Sequence, residues 1–372
     1  MGRKSELDEG TSTAFPAGTT GHCFVQALAT RDIAYRYLMP DEITVAGLEK
    51  RRIVAFDING MRYFFTGICL RVSDPSGANV PGPIIDGRVG EFIRRKDWVK
   101  ARLRKRGINV PNGGTFSRNS CDKAEAFFER FRPSLSIGVC VKPVNGHEGD
   151  QVHVGIHDLS SFRIAFTSVG QSYRRILVEE AVSGTVYRFT WVASRVVAIR
   201  FGLPANVKGD GIHTIAELVD IKNIDRRRNP CLRRHMIQLG QKEYEVLESV
   251  GLHEQSVPSA GQIIWLSATS NRHQGADPVD ATDSVHVSYI ELVDKIVKQF
   301  PGLVLCGADI VIKEASVPAT NDNYYVLELN RCPGFSAHHY PWRGPSRDVA
   351  GAILDYLAST KQTGAPHTCE LL

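Results

Sequence analysis

Runs of alternating or continuous apolar residues recur between stretches of helical spacing along the whole chain, so strands and helices interleave from end to end. From His22 to Leu38, Phe24, Val25, Leu28 and Ile33 predict a helix. Arg52 to Ile58 and Tyr63 to Val72 predict two strands joined across Asn59-Gly60, a pair that favours hairpin turns. Lys96 to Arg106 reads as a basic amphipathic helix closed by Gly107, which can take a left-handed cap. Asp122 to Phe131 is a second helix, with Ala124, Phe127, Phe128 and Phe131 on one side. Strands are expected at 137–141, 152–156, 175–180, 187–191 and 196–199. Thr214 with Glu217, and Ser288 with Glu291, fit the capping box, in which each side chain satisfies an otherwise unpaired amide. The second box opens a helix with Ile290, Val293, Ile296, Val297 and Phe300 on one stripe, and 346–358 gives a last helix. The class is mixed α/β (α+β).

Two apolar strands carry charges that such strands do not ordinarily carry. Residues 303–312, LVLCGADIVI, read as a strand buried on both faces whose one charge is Asp309. A lone buried carboxylate costs several kcal/mol unless it is paired or bound to metal. Residues 324–329 form a second strand, and Glu328 and Asn330, two apart, project from one face before Pro333-Gly334 ends it. Asp309, Glu328 and Asn330 together offer hard oxygen ligands of the kind Mg²⁺ takes when it bridges nucleotide phosphates. Lys142 ends another apolar strand, and Gly146 and Gly149 follow, where backbone amides could approach phosphate. The spacing is not that of a Walker loop. LVEEAVSG, 177–184, runs a strand into a connector with two carboxylates, where an acceptor could meet an adenine amino group.

Composition sets the frame. At 372 residues the chain exceeds one simple core, which implies two or three domains. Hydrophobic content of 42% and charged content of 23% are those of a soluble globular protein, and a net charge of +5 is too mild to argue for nucleic acid. Eight cysteines without CxxC pairs read as reduced thiols of a cytoplasmic protein. The charged first residues lack a signal-peptide core, and no apolar run is long enough to span a membrane. The expected organisation is a disordered 1–20, an N-terminal unit at 21–88, lobes at 89–182 and 183–358, and a loose tail at 359–372, with 74–87 a Pro/Gly-rich connector.

The order of these features resembles the ATP-grasp fold of carboxylate–amine ligases, and within it the ATP-grasp module of cyanophycin synthetases and bifunctional glutathione synthetases. The residues that carry the resemblance are PANVKGDGIHTIAELV (204–219), SVPSAGQIIWL (256–266), DATDSVH (280–286), CGADIVI (306–312) and LELNRCPGFSAHHYPWRGPSRDVA (327–350). The resemblance implies two α+β lobes clasping ATP after a small α/β domain. It implies transfer of the γ-phosphate to a carboxylate and attack on the acylphosphate by an amine, with Mg²⁺, or Mn²⁺ in its place, as cofactor. By resemblance, Lys96 is the nucleotide-binding lysine on the helix preceding the site, Lys142 contacts the phosphates, and Gly146 and Gly149 belong to the mobile loop that covers them. Glu179 faces the adenine amino group, and Glu180, Ala181 and Val182 form the hinge. Asp309, Glu328 and Asn330 are the metal ligands, and Lys142, Arg200 and Asn330 are the catalytic set. The substrates are small amino acids or peptides, with no nucleic acid and no membrane as partners, and a homodimer is left open.

The chain departs from the pattern in places. The ribose-binding Glu falls at Val186, and Asp150 stands in the phosphate loop. The Arg expected before the Val/Leu-Pro is Gly202, with Arg200 on the same strand face. The SNLSTGG loop reads Ser270-Asn271-Arg272-His273-Gln274-Gly275-Ala276. Arg226-Arg227-Arg228 with Arg233-Arg234 read either as a solvated surface or as a grip on carboxylates. His339 and Arg347 are expected to pack. The competing functions are a glutathione synthetase-type ligase and a nucleotide-sensing protein on a decayed ligase fold.

Overall fold

The computed structural model describes residues 14–43, 45–73, 80–146 and 149–360. Among the described residues three larger sheets and one two-stranded sheet are built. The first is an antiparallel meander of Tyr35–Tyr37, Val54–Ile58, Met61–Phe65, Leu70–Ser73 and Pro81–Ile84, in chain order. It shares one core with the helices Thr20–Thr30 and Val349–Ser359, and with Val192, Ala198 and Leu305 of the central sheet. Phe24 stacks on Phe65 at 4.1 Å between ring centroids.

The second sheet runs Gly113–Ser117, Arg175–Glu180, Val139–Pro143, His153–Ile156 in spatial order. The helices Cys121–Phe131 and Leu159–Ser172 bury Phe128, Phe162 and Phe166 against its Val141 and Val178. The central sheet runs Asp277–Asp280, Arg195–Leu203, Thr185–Val192, Leu305–Ile312, Tyr324–Arg331, every pair antiparallel. One face of it packs the helices Lys96–Arg104 and Val287–Val297, through Val99, Leu103, Tyr289 and Val293. A small lobe, Asn206–Lys208 paired with Ile263–Trp265, carries the helices Ile215–Arg228 and Gln241–Glu248.

Several elements differ from the sequence reading. The first helix ends at Thr30; Asp32 turns left-handed (φ 53°) and the chain enters a strand, although Ile33 and Tyr37 stay beside the same core and so extend the apolar spacing. The strand expected at 63–72 is broken by a turn in which the Thr66 amide donates to Cys69 O, with Gly67 at φ 89°. The Ser288 capping box does not form. His286 caps that helix, its Nδ1 accepting from the Ser288 amide at 3.2 Å, while Ser288 Oγ accepts from the Ala319 amide at 2.7 Å. The Thr214–Glu217 box does form, with both reciprocal bonds. The Gly-rich strand Gly113–Ser117, the helix Leu159–Ser172 and the strand Pro81–Ile84 inside the expected connector were not anticipated. Of the expected disordered start, 14–20 is ordered, with Phe15 buried; 1–13, 74–79 and the tail from 361 lie outside the described residues.

The cysteine reading needs correction too. Cys69 and Cys332 form a disulfide, with Cα atoms 4.8 Å apart and 263 positions between them in sequence. Sequence spacing carries no trace of this pair, because packing of the first sheet beside the end of the Tyr324–Arg331 strand is what brings them together. Cys23, Cys121, Cys140, Cys231 and Cys306 are free thiols. Among the described residues no helix is long and apolar enough to cross a membrane.

Candidate nucleotide and metal site

Strand register lines up a row of charges across the whole central sheet. Asp280 lies opposite Arg200, Arg200 opposite Arg188, Arg188 opposite Asp309, and Asp309 opposite Glu328. Because side chains alternate between faces, this register puts the row on the face away from the Lys96–Arg104 and Val287–Val297 helices. Asn330 joins the row two residues on: its Nδ2 donates to Asp309 Oδ2 and to Glu328 Oε1, both at 3.1 Å. The three side chains expected to act together are therefore in mutual contact.

Arg188 grips Asp309 with two parallel bonds, Nε to Oδ1 at 2.6 Å and Nη2 to Oδ2. Burial pushes the Asp309 carboxyl upward while Arg188 pulls it down, and the net direction is up. Burial also works against the Glu328 charge, but Lys96, Arg188 and Lys142 outweigh it and hold that carboxyl at about 2. Lys96 Nζ lies 3.0 Å from Glu328 Oε2 and donates to Gly146 O at 2.6 Å, which ties the row to the glycine loop of the second sheet.

Across from the row sits a buried trio. Glu179 is 2% exposed, and its two carboxylate oxygens are held by Lys100 and Lys142. Burial draws the Lys100 ammonium down to about 8, whereas for Lys142 the attraction of Glu179 wins over burial and raises it. Glu180 Oε1 accepts from the Asn112 amide at 2.7 Å, and the Ala181 amide donates to Gly138 O at 3.0 Å; Val182, half-buried, follows. These bonds fix the connector that leads from the second sheet into the central one. Gly149 faces Asn271 of the 270–276 loop: a Cβ built on it would lie 3.6 Å from Asn271 Nδ2.

Arg200 is half-buried, and its Nε has no hydrogen-bond partner. Burial, then Arg188 and Arg272, lower it to about 9. His338, 1% exposed, contacts Thr190 Oγ1 through Nε2 at 2.9 Å. His339 Nε2 accepts from the Ala350 amide, and Arg347 is paired with Asp280 and Asp283, as expected for packing residues.

Lys100 and Arg188 are central to this arrangement and went unrecognised in the sequence. Both carried a readable signal: Lys100 lies one helical turn after Lys96, and Arg188 is a cation inside the apolar strand TVYRFTWV. The Arg226 cluster is corrected. Arg226 is fully buried, paired with Asp277 and donating to His235 O, whereas Arg227, Arg228, Arg233 and Arg234 are exposed. Two departures also find a physical reason. At Gly202 a Cβ would meet Ser270 O at 2.7 Å, so the loop backbone excludes any side chain there. Asp150 accepts a bond from the Tyr173 hydroxyl at 2.7 Å.

No protein-family model matches the chain. It is 34% identical over 276 residues to the cyanophycin synthetase of Trichormus variabilis, covering 74% of this chain and 30% of that one. It is also 34% identical over 273 residues to the glutathione biosynthesis bifunctional protein of Mannheimia succiniciproducens, covering 72% of this chain and 35% of that one. Among solved structures, a bifunctional glutathione synthetase from Pasteurella multocida matches with a TM-score of 0.66 and 27% identity, over 93% of this chain and 44% of that one. The chain thus spans about a third of the length of these curated relatives. Sequence and fold agree: the chain has the ATP-grasp fold and is similar, in sequence and structure, to the part of these synthetases that it covers.

Proposed function

We propose that the chain joins a carboxylate to an amine at the expense of ATP, through an acylphosphate, using small amino-acid or peptide substrates. The observation that carries this reading is the contact of Asp309, Glu328 and Asn330 on adjacent strands, with Lys96 reaching from Glu328 to the glycine loop. Oxygen-only donors, two of them carboxylates, fit a hard divalent cation, and a half-turn of the Asn330 amide presents its oxygen to it. Asp309, Glu328 and Asn330 would hold Mg²⁺, or Mn²⁺ in its place, which would supply neutralisation of phosphate charge.

In this reading residues 89–182 and 183–358 are the lobes that close on the nucleotide, and 21–88 precedes them. Lys96 and Lys142 meet the phosphates from the second sheet's side, while Gly146 and Gly149 let backbone amides approach. The Glu179–Val182 connector borders the base. Arg200, with an unsatisfied donor beside the row, orients the acid and steadies the negative charge that grows as phosphate transfers.

The test is ADP and phosphate release from ATP over a panel of amino-acid pairs. Turnover that needs both an acid and an amine, and that disappears in Asp309→Ala, Glu328→Ala and Lys142→Ala, supports the reading. ATP binding with no turnover over the whole panel would replace it with a nucleotide sensor. A glutathione synthetase-type activity is the second reading, favoured by the 93% coverage of this chain by the Pasteurella multocida structure. γ-Glutamylcysteine with glycine in the same assay separates the two.

A further inference from the structure

Where the Tyr324–Arg331 strand leaves the central sheet, the Cys69–Cys332 bond ties it to the first sheet. Cys332 lies two residues beyond Asn330, and its backbone is left-handed (φ 48°), a conformation that residues with a Cβ rarely adopt. Pro333 follows and packs on the neighbouring strand. A Cβ built on Gly307 would lie 3.0 Å from Pro333 Cβ, and Gly307 is the residue opposite Asn330 in the register. The other end of the bond is well anchored, since Cys69 O accepts from the Thr66 amide at 3.0 Å and from Thr66 Oγ1 at 3.2 Å. Docking of the first sheet does not require the bond, because that sheet already shares a core with two helices and with Val192, Ala198 and Leu305. The bond is also within reach of a reductant. Both of its cysteines are half-buried, whereas Cys306, opposite Arg331, is fully buried and burial pushes its thiol up. Two half-buried guanidinium groups stand close by in the chain, Arg71 two residues after Cys69 and Arg331 just before Cys332. Arg331 pairs with Glu91, while Arg71 Nε is buried with no hydrogen-bond partner. Cationic surroundings of this kind draw an attacking thiolate.

We propose that the Cys69–Cys332 bond is a redox switch on the end of the Tyr324–Arg331 strand: intact, it keeps Asn330 against Asp309 and Glu328, and reduction by a dithiol releases that end and weakens metal binding. Only the effect on metal binding rests on the function proposed above. The reaction is thiol–disulfide exchange. A thiolate of the dithiol attacks one sulfur and the other leaves as a thiolate; the reductant's second thiolate then displaces the first sulfur. Two electrons and two protons pass to the chain, which ends with two thiols, and the reductant ends as its own cyclic disulfide. Without its tether the left-handed turn at Cys332 relaxes, and Pro333 moves off Gly307 with the end of the strand. Asn330 Nδ2 donates to both carboxylates at 3.1 Å, so a shift of its backbone separates the three side chains. The release is local. The Phe335 amide stays bound to Thr20 Oγ1 at 3.1 Å, and the shared core behind it does not depend on the bond.

The experiment poises the full chain with reduced or oxidised dithiothreitol, removes the reagent under argon, and carries Cys69→Ser, Cys332→Ser and Cys121→Ser alongside. Alkylation with peptide mapping reads the state of Cys69 and Cys332, and electron paramagnetic resonance of Mn²⁺ with a non-hydrolysable ATP analogue reads the site. On reduction the Kd for Mn²⁺ should rise about tenfold, and it should return on reoxidation. Hydrogen exchange at 331–335 should quicken about tenfold while Val139–Pro143 is unchanged. Cys69→Ser and Cys332→Ser should show the reduced value after either treatment. Cys121→Ser, which removes a half-buried free thiol, should respond like the unmodified chain. Mn²⁺ affinities within twofold of each other in chains mapped as reduced and oxidised overturn the proposal and leave the bond a structural staple. A response that survives in Cys69→Ser, or unfolding of the whole chain on reduction, overturns it as well. Quickened exchange at 331–335 in a chain that binds no Mn²⁺ in either state keeps the switch at the strand end and removes the metal-site reading. If a serine variant does not fold, the redox titration of the unmodified chain decides.

Discussion

Glu179→Gln removes the one carboxylate that two buried ammoniums share, and the structure bounds the result. Glu179, Lys100 and Lys142 are all buried, so taking the acid away leaves two like charges out of water. Breaking a buried pair from one side costs about 3–5 kcal/mol. Proton loss sets a ceiling. At pH 7 a lysine with an ordinary value near 10.4 can be neutralised for about 5 kcal/mol, from 3.4 units at ~1.4 kcal/mol each. Lys100, already drawn down to about 8, can be neutralised for about 1 kcal/mol. The local stability of the second sheet should therefore fall by about 3–5 kcal/mol at pH 7. In the variant the folded-state values of the lysines drop below their unfolded values, so the unfolded chain binds more protons between the two. Stability of the variant then rises with pH, and the penalty relative to the intact chain shrinks by up to ~1.4 kcal/mol per pH unit. Hydrogen exchange of the amides in Val139–Pro143 and Arg175–Glu180 at pH 6, 7 and 8 reads this directly. A loss below about 1 kcal/mol that does not change with pH would refute the buried-trio account.

Three further predictions follow from packing. Gly202→Ala should destabilise by about 1–3 kcal/mol, because the added methyl meets the Ser270 carbonyl; a melting temperature equal to that of the unmodified chain would show that the loop yields. Arg226→Met should cost about 1–3 kcal/mol, because it removes the buried Asp277 pair on one side, leaving Lys222, and strips His235 O of its Arg226 donors, whereas Arg227→Ala should leave the melting temperature unchanged; equal effects would mean that Arg226 is not buried. Cys69→Ser should lower stability by about 2–4 kcal/mol in oxidising buffer and abolish the response to dithiothreitol. An unmodified chain whose melting curve ignores dithiothreitol would contradict the disulfide.

What the sequence disclosed and what it hid divide along a physical line. Asp309, Glu328 and Asn330 were legible because charge and amide in apolar strands are locally expensive, and period-two alternation puts them on one face. The cap at Gly107 (φ 69°) and the Thr214–Glu217 box were legible because they are local. The row from Asp280 to Glu328 was not, since it exists only once strands far apart in sequence take their register. The same is true of the Cys69–Cys332 bond and of Lys100, whose partner is 79 positions away. Arg226 misled for a related reason. A run of three arginines at the end of a helix points in three directions, and only one of them enters the core.

The central claim is that Asp309, Glu328 and Asn330 hold a divalent cation against a bound triphosphate. Electron paramagnetic resonance of Mn²⁺ with a non-hydrolysable ATP analogue tests it most directly. The account predicts Mn²⁺ binding that depends on the nucleotide in the unmodified chain and is lost in Asp309→Asn and Glu328→Gln, with circular dichroism unchanged. Nucleotide-dependent Mn²⁺ binding that persists undiminished in both variants would contradict it.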